Sequence, residues 1–99
     1  MIKHVVFLKF KADATEAMIQ EIEAGLGALP GLIPEIRYYD FGRDVVRSSR
    51  SCDFALVSRF DDLDALKRYS GHPDHQAVVR KIQAAAETIQ AVDFETDKP

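Results

Sequence analysis

Three observations predict an α+β fold built on one four-stranded antiparallel sheet. Four stretches, residues 2–11, 33–42, 52–60 and 89–96, carry the alternating or β-rich patterns of strands. Between them, residues 13–29, 61–70 and 73–87 repeat apolar side chains at helical spacing behind capping or proline signals. The order strand, helix, strand, strand, helix, helix, strand is a split βαβ pattern whose last helix is broken in two, βαββ(αα)β. This arrangement is ferredoxin-like: the strands lie in the order 4-1-3-2 and the helices pack on one face.

The first strand puts Ile2, His4, Val6, Leu8 and Phe10 on one side and Lys3, Val5, Phe7, Lys9 and Lys11 on the other. Both sides carry apolar groups, so helices are expected over one face and something less apolar over the second. The first helix is expected to start at Asp13-Ala14-Thr15-Glu16, where an N-cap residue is followed three positions on by Glu, in the manner of a capping box. Met18, Ile19, Ile22, Leu26 and Leu29 make its buried stripe, and Pro30-Gly31 is expected to end it. Gly25 and Gly27 each cost about 1 kcal/mol of helix stability against alanine, which reads either as a weak second half or as room for a close neighbour.

The second strand carries Ile36, Tyr38, Tyr39 and Phe41, and the polar loop after it holds Arg43, Arg47 and Arg50. Three arginines could meet an anion, but Asp44 offsets one and no aromatic residue is interleaved, so a solvated loop is expected. In the third strand Cys52, Phe54, Leu56, Ser58 and Phe60 alternate with Asp53, Ala55, Val57 and Arg59. Asp61-Asp62-Leu63-Asp64 opens the next helix with acidic residues at the positive end of its dipole. Gly71 and Pro73 then break the chain, and proline suits the first turn of the helix that follows. Residues 89–96 form the last strand, and the tail at 97–99 should fray.

One domain spanning residues 1–99 follows from the length, and a chain this short hides only about 60–65% of its unfolded surface. A partner would supply further burial. Val5, Phe7, Ala55 and Val57, interleaved with Lys9 and Arg59, are too apolar for open water and too charged for a monomer core. Homodimerisation across that sheet face is therefore expected. The composition, 46% hydrophobic and 29% charged, excludes disordered and fibrous classes. A formal net charge of -3 argues against nucleic acid and acidic lipid as partners, and no apolar run reaches the length of a membrane span. Cys52 is the only cysteine, which excludes an intrachain disulfide and a thiolate metal cluster. With no signal-peptide pattern at the start, a cytoplasmic location is expected.

Titratable chemistry concentrates between Tyr69 and Val78. Counting from His75, Val78, Val79, Ile82 and Ala86 follow at the spacing of one helical face, so the His75 ring should point inward. A histidine in a pocket can serve as general base or acid, and one on an apolar face can equally be a hydrogen-bonded core residue. Tyr69, at the end of the preceding helix, could polarise a carbonyl oxygen or simply pack. His4 lies on the inward side of the first strand beside the last strand, where Asp93 could fix its tautomer. Strand parity argues otherwise: Val92 and Phe94 look like the helix-facing pair, which turns Asp93 to the opposite face unless a bulge reverses the register. His72, Asp74 and His75 could be read as metal ligands, but His72 sits in the turn and Asp74 already serves the helix dipole, so no metal is expected.

His4-Val5-Val6 with Lys9-Phe10-Lys11, Leu29-Pro30-Gly31-Leu32-Ile33-Pro34, Gly42-Arg43-Asp44, Phe60 with Leu63 and Leu66, His72-Pro73-Asp74-His75 and Val92-Asp93-Phe94 follow one another in an order that resembles the stress-responsive α/β barrel (Dabb) family across nearly the whole chain. The resemblance implies a dimeric α/β barrel in which two sheets face each other. One plant branch of that family is a polyketide cyclase that performs a cofactor-free aldol cyclisation. The resemblance implies His75 as base, Tyr69 as its helper and His4 in support, with no cofactor. It also implies a pocket between helices and sheet walled by Val6, Leu8, Ile22 and Val78. Gln76-Ala77-Val78-Val79 departs from the cyclase pattern, which has glycines after the motif.

Two functions follow. One is a small homodimer of the stress-associated kind, of unassigned activity, with a pocket for a small apolar or carbonyl ligand. The other is a cofactor-independent acid/base enzyme, a cyclase or isomerase using His75 and Tyr69. An open cavity around His75 is what the second requires.

Overall fold

The computed structural model describes residues 1–98 and consists of β1 (Ile2–Phe10), α1 (Glu16–Leu32), β2 (Tyr38–Arg43), β3 (Phe54–Phe60), α2 (Leu63–Gly71), α3 (Pro73–Ala85) and β4 (Ala86–Glu95). All strand pairs are antiparallel and the sheet order is β2-β3-β1-β4, the ferredoxin-like 4-1-3-2 arrangement read from the opposite edge. Of the tail expected to fray, Pro99 lies outside the described residues.

One face of the sheet is buried under the helices. Leu8, Phe54, Leu56 and Phe60 meet Ile22, Leu26 and Leu29 of α1, Ala65 and Tyr69 of α2, and Val78 and Ala85 of α3 in one core. Gly25 lets α1 and α3 come this close, since a Cβ there would lie 2.9 Å from Cγ2 of Val78. The two glycines in α1 differ in this respect, because a Cβ at Gly27 would meet nothing nearer than Phe41 at 3.9 Å.

Helix α1 corrects the expected boundaries at both ends. Its N-cap is Thr15, whose hydroxyl accepts from the Met18 amide at 3.2 Å. Asp13 is not the cap because the chain is still turning there, with the Ala14 amide bonded to the Lys11 carbonyl. At the other end the helix runs through Pro30 to Leu32. Proline costs one amide donor, but Leu29 and Ile33 are buried on either side, and the Ile33 amide closes the last turn on the Leu29 carbonyl at 2.9 Å.

The second sheet face carries Val5 and Phe7 of β1, Ala55 and Val57 of β3 and Tyr38 of β2, with no helix over it among the described residues. The Arg59 guanidinium lies 5.8 Å from the centre of the Tyr38 ring on this side. Strand β4 adds Val92 and Phe94, 56% and 46% exposed, which corrects the parity expected for this strand. Its register pairs His4 with Asp93 and Val5 with Val92, so Ile89, Ala91 and Asp93 face the helix side. The apolar pair at Val92 and Phe94 marks the open face instead.

The arginine-bearing connection after β2 is anchored within the chain. Arg43 grips Glu16 with both terminal nitrogens, at 2.8 and 2.6 Å, and also bonds Glu23, tying β2 to α1. Arg47 adopts a left-handed backbone conformation, φ 55°, with its amide on the Asp44 carboxylate and its guanidinium on Asp53.

Candidate functional site

The helix break at residues 71–73 sets the site. His72 closes α2 through its amide, which donates to the Tyr69 carbonyl at 3.1 Å, and opens α3 through its Nδ1, which accepts from the Asp74 amide at 3.1 Å. With Pro73 in the first turn, the chain changes direction within one residue. His75 then faces back toward the end of α2, and its Nδ1 lies 3.0 Å from the Ser70 carbonyl oxygen. A carbonyl only accepts, so Nδ1 carries the proton and, in the neutral ring, Nε2 carries the lone pair. Burial lowers the His75 pKa below its ordinary value, opposed by the bond to Ser70.

His4 enters from the sheet. It stands on β1 directly beside Asp93 of β4, and its Nδ1 is hydrogen-bonded to the Asp93 carboxylate. The Ser58 hydroxyl, fully buried, holds the His4 carbonyl at 3.2 Å. The carboxylate partner fixes the same tautomer as at His75, with Nε2 left for an occupant. Among the described residues neither Nε2 has a hydrogen-bond partner.

Tyr69 fills the space between the histidines. Its ring centre is 4.2 Å from that of His75, 4.7 Å from Phe60 and 6.2 Å from His4. The residue is fully buried, and its hydroxyl is 2.7 Å from the hydroxyl of Tyr39. Burial pushes the Tyr69 phenol up to about 12 and raises Tyr39 still further, so neither ionises near neutral pH. The bond to Tyr69 raises the Tyr39 phenol and the same bond lowers Tyr69, as when the Tyr39 hydroxyl donates and the Tyr69 oxygen accepts. The bond from Tyr39 was not anticipated from sequence, although its parity with Phe41 on the inward side of β2 is a signal that could have located it.

These groups border a cavity of about 200 Å3. His4 and Val6 of β1 and Leu56 of β3 form one wall, and Leu26 of α1 with Tyr69, His75, Val78, Val79 and Ile82 forms the other. Ile89 and Ala91, both exposed on the edge strand, complete it on the outer side. Val6 and Val78 are thus cavity walls. Leu8 and Ile22 do not line it, and Leu26 and Leu56 stand at the cavity wall instead. His72 stays apart as the cap between helices. Among the described residues no three histidine, cysteine or acidic side chains are grouped to hold a metal.

The model of the Stress Responsive A/B Barrel Domain family matches residues 2–96. The chain is similar to an uncharacterised protein of Streptomyces coelicolor, SCO4036, with 38% identity over 82 residues, 80% of this chain and 84% of the relative. It is also similar to olivetolic acid cyclase of Cannabis sativa, with 28% identity over 76 residues, 75% of each chain. Among solved structures it resembles a dimeric ferredoxin-like protein of unknown function from Thermobifida fusca, with a TM-score of 0.88 and 30% identity over 96% of this chain and 90% of the other. The chain belongs to the stress responsive A/B barrel domain family.

Proposed function

We propose that this chain is a homodimeric barrel protein that binds a small, mostly apolar ligand with one polar end in the cavity between its helices and sheet. The observation that carries the reading is the cavity of about 200 Å3 itself, whose apolar walls meet the two tethered imidazoles of His4 and His75. A pocket with apolar walls and a few convergent polar groups is the usual form of a small-molecule site. The dimer is supported by the uncovered apolar face of Val5, Phe7, Ala55 and Val57, extended by Val92 and Phe94, and by the dimeric state of the Thermobifida relative.

A second reading is favoured by the state of His75. A neutral imidazole with a free Nε2, kept neutral by burial, is what a general base at neutral pH requires. Together with the cyclase relative, this supports cofactor-independent acid/base chemistry on a small carbonyl compound, with His75 as base and His4 in support. Tyr69 enters that reading as the residue that packs against His75 and, with its oxygen accepting from Tyr39, as a donor to the carbonyl.

Thermal-shift screening of wild type and His75→Ala against small aromatic and β-keto compounds tests both. Binding by the first is expected to raise the melting temperature of wild type and to lose that effect in the variant. Hits that stabilise both proteins equally would remove His75 from the site, and turnover of a β-keto hit by wild type alone would select the enzyme reading.

A further inference from the structure

The hydrogen-bonding polarity of the cavity restricts what can occupy it. Both imidazoles spend their Nδ1 proton on an acceptor of the chain, His4 on the Asp93 carboxylate and His75 on the Ser70 carbonyl. In the neutral form of this tautomer each ring offers the occupant only the lone pair of Nε2. The third polar group, Tyr69, has its hydroxyl engaged with Tyr39 and is sealed from solvent. Among the described residues no lysine or arginine borders the cavity, and the carboxylate bonded to His4, that of Asp93, is an acceptor. Against neutral rings a carboxylate or phosphate would lose its hydration and gain no cation.

We propose, resting on the reading of this cavity as a ligand site, that its occupant is a neutral weak acid: a phenol, or the enol form of a carbonyl compound, carried on an apolar body. Its O–H donates to Nε2 of His75 or His4, and its hydrocarbon part meets Leu26, Leu56, Val78 and Ile82. Size narrows the class further. An apolar cavity of about 150 Å3 accommodates benzene, and drug-sized sites begin near 300 Å3. A volume of about 200 Å3 suits a single ring with a short substituent.

Three probes of nearly equal size separate the possibilities: para-propylphenol, propylbenzene and para-ethylbenzoate, titrated into the wild-type protein by calorimetry at about pH 8, where free histidine is neutral. The phenol is expected to bind about tenfold more tightly than propylbenzene, the value of one well-formed hydrogen bond, and the benzoate more weakly than either. In His75→Phe and His4→Phe, which keep ring volume, the phenol's advantage should shrink toward that of propylbenzene. Nitrogen-15 spectra of histidine-labelled wild type give a second readout that needs no variant: the Nε2 resonance of the acceptor histidine should move on adding the phenol and stay put with propylbenzene. Propylbenzene binding as tightly as the phenol would leave the cavity a ligand site and overturn the weak-acid assignment. Benzoate binding as tightly as the phenol would overturn it too. Failure of all three probes would remove the ligand site and the assignment with it.

Discussion

His75 resists protonation in the fold, so below the ordinary histidine value of about 6.5 the unfolded chain takes up a proton that the native state refuses. The sign follows: the His75 contribution to stability is complete above that value and is lost as the pH falls through the window beneath it. His75→Gln keeps an amide donor for the Ser70 carbonyl and cannot titrate. Urea unfolding between about pH 5 and pH 7.5 should therefore lose less stability on acidification in this variant than in wild type, and parallel profiles would count against a buried neutral ring. Tyr39 makes the complementary case. Tyr39→Phe leaves the sealed Tyr69 hydroxyl without its partner, and a loss of about 1–3 kcal/mol is expected in the same assay. A loss below about 0.5 kcal/mol would mean that the hydroxyl finds another partner. His75 was legible in sequence because its apolar neighbours repeat at helical spacing. The inward parity of Tyr39 with Phe41 was legible too, but its partner was not, because a bond between two phenols 30 residues apart leaves no local pattern.

At the scale of elements, the approach of α1 to α3 gives two glycines opposite fates. Gly27→Ala has room and should stabilise the helix by up to about 1 kcal/mol. Gly25→Ala gains the same propensity but drives a methyl against Cγ2 of Val78, a stiff side chain that also walls the cavity. Overpacking of about 1–3 kcal/mol should outweigh the gain and lower the melting temperature. If Gly25→Ala proved as stabilising as Gly27→Ala, the helices would be freer to part than they stand. The strands show where sequence patterns run out. In β1 and β3 alternation identified the inward residues, where Leu8, Phe54 and Phe60 are buried while Phe7 on the other side is 38% exposed. In β4 the same rule chose the wrong side. Val92 and Phe94 are the more apolar pair, but they belong to the uncovered face, while Asp93 serves His4 within the site. Apolar parity separates inside from outside only when one side of a strand is polar, and a strand apolar on both sides removes that contrast. Pro30 is a similar case, in which burial of Leu29 and Ile33 overrides a local stop signal.

For the whole molecule, the layering assigns the two sides of one sheet to two tasks. The helix side closes over the cavity, and the bare side offers an apolar surface flanked by Lys9 and Arg59. Val5 and Val57 are register partners with Val92 alongside, near the middle of that surface. Val57→Asp places a charge where a partner's apolar surface would seat, at little cost to the core on the other side, since Val57 faces away from it. Light scattering is expected to give a dimer for wild type at micromolar concentration and a monomer for the variant, with the circular dichroism spectrum unchanged. A wild-type monomer, or a variant that stays dimeric, would place the association elsewhere.

The pairing of Tyr39 with Tyr69 has an optical consequence. The chain holds three tyrosines and no tryptophan, so its near-ultraviolet absorption and emission come almost wholly from these three rings. Tyr38 stands on the bare sheet face under Arg59, whereas Tyr39 and Tyr69 share a hydrogen bond behind the cavity. Association and ligand entry therefore address different chromophores, and Tyr38→Phe would leave a protein whose intrinsic fluorescence reports the cavity alone.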